Sequence, residues 1–172
     1  AGARRAVEGL RAEIRRRERL IAAAGARDAG DAQVGLARLV IVIDEFGALL
    51  QEAPDLHAVF TDVAARGRAL GMHLVLGTQR ASGILRDALL ANSPLRIALR
   101  VAEDRESAQL VGTDRAARIP GGARHRGVGY VRRAGDDAAQ LARFALTRAD
   151  DIRGAALRHD GSTRAHGPLL PP

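Results

Sequence analysis

The stretch "RLVIVIDEFGALL", residues 38–50, decides the fold. Its apolar residues Val40 to Ile43 favour a strand and run directly into two adjacent carboxylates, Asp44 and Glu45. A continuous apolar run of this kind is typical of a strand that is buried on both faces of a parallel sheet. Ligands of such sheets bind beyond the carboxyl ends of the strands, so the two acids stand where the sheet presents its chemistry.

The composition sets outer limits on what the chain does. Its 172 residues leave room for one domain, and a hydrophobic fraction of 47% excludes global disorder. The formal net charge is +7 and all 27 basic residues are Arg, which favours polyanions such as nucleotides, nucleic acid or acidic surfaces. The absence of Cys excludes disulfides and thiolate metal sites. We expect a cytoplasmic domain, and any membrane anchor of the parent protein would lie outside this chain.

Strand-like and helix-like segments alternate along the sequence. Helical periodicity is seen over residues 3–24, from Pro54 to Gly71, near 83–91 and over 104–111. Strands are predicted over 40–43, 72–80, 96–101, 124–135 and 139–147. Strands that alternate with helices predict an α/β fold, a parallel sheet with helices on both faces.

Polar side chains also follow the second apolar strand, which ends in Thr78, Gln79 and Arg80. The carboxyl ends of parallel strands meet at one edge of a sheet, so we expect this end to lie beside Asp44 and Glu45. An apolar strand ending in Asp-Glu is the Walker B pattern of nucleotide-hydrolysing motors. One carboxylate holds the water shell of Mg²⁺, and its neighbour orients the attacking water. The alternative is that the two acids only cap the following helix.

Four segments in order, "LVIVIDEFGALL", "ARGRALGMHLVLGTQRAS", "LLANSPLRIALRV" and "SAQLVG", resemble the FtsK/SpoIIIE family of motor ATPases, which includes the EccC/EssC ATPases of type VII secretion. The resemblance covers residues 8–146 and implies a partial RecA-like P-loop NTPase domain over residues 1–148. Within it, residues 1–25 are a leading helix, 26–37 a linker and 38–148 the part from Walker B to the last strands. Residues 149–172 are predicted to be a disordered polar tail.

One motif of that family is missing. There is no G-x-x-x-x-G-K-[ST], and because the chain has no Lys it has no Walker A lysine. We therefore expect the Walker A strand, loop and helix to belong to a preceding part of a longer protein. We also expect this chain alone not to hydrolyse ATP.

The resemblance implies roles for individual residues. Glu45 would be the catalytic base, Asp44 the residue that holds Mg²⁺ through water, and Arg96 an arginine finger acting on the neighbouring subunit. Thr78 and Gln79 match the polar sensor position and Asn92 a nucleotide contact. For Thr78 and Gln79, the alternative is a polar strand end that hydrogen-bonds to its own loop. For Arg96, the alternative is a surface arginine at the start of a strand. Four arginines are predicted to contact DNA or to line a pore: Arg66, Arg68, Arg80 and Arg86. The alternative for each of them is a solvated surface arginine.

Three functions follow. The leading interpretation is ATP-driven translocation of double-stranded DNA by a homo-hexameric ring, with ATP and Mg²⁺ as cofactors. The second is a type VII secretion motor whose cargo is protein. The third is an interaction module without catalysis.

Overall fold

The computed structural model describes residues 2–79 and 87–159, which divide into two compact units, 2–92 and 93–159. The first unit contains α1 (Gly2–Ala23), β1 (Leu39–Ile43), α2 (Phe46–Glu52), α3 (Leu56–Leu70), β2 (Met72–Leu76) and α4 (Asp87–Ala91). The second contains β3 (Leu95–Ala98), α5 (Asp104–Val111), β4 (Val128–Arg133), β5 (Gln140–Arg143) and α6 (Ala149–His159). Two 3₁₀ turns, Asp114–Ala116 and Ala123–His125, lie between α5 and β4.

In the first unit β1 and β2 form a parallel pair joined by a crossover through α2 and α3. The register runs from Leu39 opposite Met72 to Ile43 opposite Leu76. The chain leaves α3 at Gly71, whose φ of 66° lies in the left-handed region that favours glycine, and enters β2 at the next residue. The α/β class and the parallel sheet predicted from the sequence are confirmed.

Helices α1 and α3 cover one face of this sheet. Apolar side chains of α1, among them Ile14 and Ile21, share a buried core with the α3 residues Val59, Phe60 and Val63. The ring of Phe46, at the start of α2, packs edge-on against Phe60 with the ring centroids 5.4 Å apart. The core-facing residues of both strands pack against this cluster, which fixes the orientation of the sheet.

The opposite face of the sheet is exposed. Val42 is 69% exposed and Val75, its register partner on β2, is 53% exposed. Burial of β1 on both faces, predicted from the continuous apolar run, is therefore wrong for the part of the chain that the structure describes. Side chains of a strand alternate between faces, and within residues 2–79 and 87–92 the buried core lies on one face of the sheet only.

A buried ion pair ties α1 to the end of α3. Arg17 is 5% exposed, and its Nε donates to Glu13 Oε1 at 2.6 Å on the same helix. Its Nη1 donates to the backbone oxygen of Leu70 at 2.9 Å, one of the last carbonyls of α3. The side chain thus satisfies a helix end and holds two helices together.

The second unit is built on an antiparallel sheet in the order β3–β4–β5. Its core consists of Ala98, Val111, Ala116 and Ile119. Buried Ser107 links α5 to the following turn, because its hydroxyl donates to the Thr113 carbonyl and accepts from the Ala116 N–H.

Two sequence-based predictions about this unit are corrected. The third predicted strand, β3, does not pair in parallel with β1 or β2 in the described residues, since its partner is the antiparallel β4. Residues 149–159 form helix α6 rather than a loose tail, with Asp150 and Asp151 in the favourable first turn. Among the described helices, none combines the length and apolarity that crossing a membrane requires.

Candidate active site

The carboxyl ends of β1 and β2 are held together by the backbone of Gly77. The Gly77 N–H donates to the Ile43 carbonyl at 2.8 Å, and the Gly77 carbonyl accepts from the Phe46 N–H at 2.8 Å. This pair of bonds joins the two chain segments just past the last paired residues, Ile43 and Leu76. It places Asp44 and Glu45 beside the segment that carries Thr78 and Gln79, as predicted from the parallel arrangement.

Glu45 is bound by that neighbouring segment through both carboxylate oxygens. The Thr78 hydroxyl donates to Oε1 at 3.0 Å, and the backbone N–H of Gln79 donates to Oε2 at 3.2 Å. Hydrogen bonds to an ionised carboxylate are stronger than those between neutral groups. The half-buried carboxylate is therefore fixed in orientation at the sheet edge.

The capping alternative for Glu45 is wrong. Glu45 is the residue before α2, yet its side chain makes no capping hydrogen bond to that helix. Its two carboxylate oxygens accept hydrogen bonds from Thr78 and Gln79, which follow β2, instead. These hydrogen bonds join the ends of the two strands.

The second carboxylate of the pair, Asp44, lies at the protein surface. Its side chain is exposed, and within residues 2–79 and 87–159 it forms no ion pair or hydrogen bond. A carboxylate in this state fits the water shell of Mg²⁺, a hard cation that prefers oxygen ligands. No cluster of three or more His, Asp or Glu side chains that would hold a metal directly occurs among the described residues.

Gly77 is a site residue that the sequence reasoning missed. A Cβ at this position would lie 2.6 Å from the backbone oxygen of Asp44, closer than real Cβ atoms approach. Only glycine permits the two strand ends to meet at this distance. The signal in the sequence was a lone Gly between an apolar strand and its polar end.

Asn92 and Arg96 are engaged locally. The Asn92 amide donates to the Ala88 carbonyl at 2.8 Å, which satisfies the end of α4. Half-buried Arg96, in the second unit, donates from Nε to the Ser93 carbonyl at 3.2 Å. Their roles toward a nucleotide stay predictions.

Of the arginines predicted to contact a polymer, Arg66 already has partners. It forms ion pairs with Asp62 on its own helix and with Glu18 on α1. These bonds raise the pKa of Arg66, and the hydrogen bond from Arg66 lowers the pKa of Asp62. Arg68 is exposed, while Arg80 and Arg86 lie outside the described residues.

Comparison with known proteins identifies the family. The chain is 35% identical over 129 residues to the type VII secretion system protein EssC of Staphylococcus aureus (strain NCTC 8325 / PS 47), a match that covers 68% of this chain. It belongs to the EssC/EccC family of type VII secretion ATPases. These are FtsK/SpoIIIE-type motors, so the resemblance seen in the sequence is confirmed. No protein-family model matches the chain.

Two further comparisons agree with this assignment. The ESX secretion system protein YukB of Bacillus subtilis (strain 168) is 32% identical over 124 residues, which are 67% of this chain. The chain spans only 8% of the length of EssC and of YukB. The cytoplasmic domain of the type VII secretion ATPase EccC from Thermomonospora curvata superposes with a TM-score of 0.76 and 25% identity, over 99% of this chain and 21% of that one.

Proposed function

We propose that this chain is a module of an EssC/EccC-type motor ATPase, a cytoplasmic machine that couples ATP hydrolysis to the movement of protein substrates. The observation that carries the proposal is the Glu45 carboxylate, bound by Thr78 and Gln79 at the joined ends of two parallel strands. Family membership supports protein as the cargo, since the relatives are secretion proteins. It favours the secretion alternative over the DNA translocase interpretation.

Each strand-end residue has a distinct part in this proposal. Glu45 orients and polarises the attacking water, and Thr78 with Gln79 keeps its carboxylate turned toward the sheet edge. Asp44 holds Mg²⁺ through its water shell, and the metal would neutralise charge on the phosphates. The chain has no Lys and so no Walker A lysine, and in this proposal another part of the parent protein supplies the loop that binds the β- and γ-phosphates.

The test is made in the complete parent protein. Glu45→Gln keeps the shape of the side chain and its acceptor toward Thr78 but lacks the carboxylate base, so ATP should bind while turnover stops. Asp44→Asn should weaken the magnesium-dependent part of nucleotide binding. Glu52→Gln removes an exposed carboxylate at the end of α2 and is the matched control. Wild-type turnover in both site variants would sink the proposal.

Arg96 is proposed to act on the nucleotide of the next subunit in a homo-hexameric ring. Arginine fingers contribute about 10³–10⁵ in rate, and Lys is a poor substitute because it lacks the planar fork. Arg96→Ala rings should bind ATP and hydrolyse it very slowly. Mixed rings that also contain Glu45→Gln subunits should regain activity at interfaces where both residues are intact. Mixed rings that form but stay inactive would exclude action between subunits.

The cargo is tested separately from the chemistry. ATPase activity of the parent protein is measured with an exported protein substrate and with random duplex DNA at several salt concentrations. Stimulation by the protein alone supports secretion. Salt-dependent binding and stimulation by duplex DNA would restore the DNA translocase interpretation, because phosphate contacts weaken steeply as salt rises.

A further inference from the structure

The second unit contains a cavity of about 380 Å³ that the proposed motor chemistry does not use. It lies between Leu99–Arg100, which follow β3, and the glycine-rich loop "PGGARHRG", residues 120–127. Small-molecule pockets span roughly 300–1,000 Å³, so the space suits a small ligand.

The charged lining of this cavity is entirely basic. Arg100, His125 and Arg126 contribute to its wall, and among the described residues no Asp or Glu does. Within residues 2–79 and 87–159, neither Arg100 nor Arg126 forms an ion pair, unlike Arg66 or Arg118. Two guanidinium groups without carboxylate partners on one concave surface form an electropositive site.

The loop lies directly against one of these guanidinium groups. A Cβ at Gly121 would lie 3.1 Å from Arg100 Nη1, so the guanidinium closely approaches the loop backbone at this glycine. The His125 Nδ1 is 3.3 Å from the Gly121 carbonyl. A carbonyl only accepts, so that ring nitrogen carries the proton and the ring is fixed. From β5, Arg143 donates to the Arg124 carbonyl at 3.1 Å and holds the same loop.

We infer that this cavity, which we call the loop cavity, is a binding site for the phosphoryl oxyanions of a small molecule. The planar fork of Arg matches phosphate oxygens in pairs, and two such forks suit a ligand with more than one phosphoryl group. A nucleotide and free pyrophosphate both present this chemistry. Duplex DNA is the less suitable ligand, since its phosphates are read by cations spread along an open surface. All residues that line the loop cavity belong to the second unit, whereas Glu45 belongs to the first.

The experiment uses the 172-residue chain in EDTA, which removes magnesium-dependent binding at Asp44. Pyrophosphate, inorganic phosphate, ATP and random duplex DNA are titrated by calorimetry at one fixed salt concentration. The variants are Arg100→Ala and Arg126→Ala. The control, Arg105→Ala, removes an exposed arginine of α5 in the same unit and changes the net charge equally. Circular dichroism verifies that each variant is folded, and Arg100→Lys replaces the first variant if it is not.

The expected result is saturable binding of pyrophosphate or ATP that each cavity variant weakens by about tenfold or more, since a hydrogen bond to a charged group is lost. Arg105→Ala should leave it unchanged. If ATP binds more tightly than pyrophosphate, the ligand of the loop cavity is a nucleotide. If the two bind with equal affinity, the ligand is the free phosphate compound. The inference is overturned if neither ligand saturates, if the control loses as much affinity as the cavity variants, or if only duplex DNA binds.

Discussion

Replacing Gly77 by Ala should separate the two strand ends on which the candidate site is built. The added Cβ would lie 2.6 Å from the Asp44 backbone oxygen, and backbone cannot move aside as a flexible side chain does. Either the strain remains, at about 1–3 kcal/mol for an overpacked methyl group, or the strands part. Parting breaks both bonds of the Gly77 backbone, to Ile43 and Phe46, at about 1 kcal/mol each.

The two routes predict a loss of about 1–3 kcal/mol in the free energy of unfolding of the first unit. For a unit of this size, that corresponds to a fall in Tm of about 4–24 °C. The assay is thermal unfolding followed by circular dichroism, together with amide hydrogen exchange at Phe46 and Gly77. Exchange at these two positions should accelerate, because their N–H groups form the bonds that close the strand ends.

The matched control is Gly9→Ala in α1. A Cβ at Gly9 meets nothing within 4 Å, and Ala is favoured over Gly inside a helix by up to about 1 kcal/mol. This variant should therefore be equal to the wild type or more stable. The prediction is refuted if Gly77→Ala has the Tm of the wild type and the amides of residues 46 and 77 exchange no faster. In that case the close approach of the two strand ends does not depend on a glycine at position 77.

Three other perturbations test the packing around the site. Arg17→Ala should cost up to about 3–5 kcal/mol by leaving buried Glu13 with only its longer, 3.6 Å contact to Arg16, while replacing both Arg17 and Glu13 by Leu or Met should restore much of the loss in denaturant unfolding. Asp62→Asn should cost no more than about 1 kcal/mol, since the ion pair with Arg66 is largely exposed. Because the folded-state pKa of Asp62 is lowered, its stabilisation is present above the unfolded pKa of about 3.9 and is lost as pH falls through the folded value. The difference from wild type should therefore vanish in strong acid, and a difference that persists there would contradict the ion-pair account. Val42→Thr, on the exposed sheet face, should change stability by less than about 0.5 kcal/mol and reduce binding of a hydrophobic dye; a large loss of stability would show that this face is covered.

The sequence allowed good predictions where a single pattern determines the outcome. Helical periodicity predicted α1 and α3, and apolar runs predicted β1 and β2 with their polar ends. From those elements alone, the parallel arrangement predicted that Glu45 and Thr78 would be neighbours. The hydrogen bond between them is the main feature of the site.

Features that depend on long-range partners could not be predicted. Arg17 lies on a polar stripe of an amphipathic helix, and nothing local shows that the end of α3 will bury it. A strand pattern does not specify its partner, so β3 was placed in the parallel sheet although it pairs with β4. The need for glycine at position 77 arises from a backbone oxygen 33 residues earlier, at Asp44.

The net charge of +7 was the argument from the sequence for a DNA partner, and the structure weakens that argument. Arg17 is buried and forms an ion pair with Glu13, and Arg66 forms ion pairs with two carboxylates. A guanidinium attracts a polyanion most strongly when it is exposed and unpaired, so the sum over the chain overstates the cationic surface. The cargo proposal therefore rests on the secretion relatives and not on the charge.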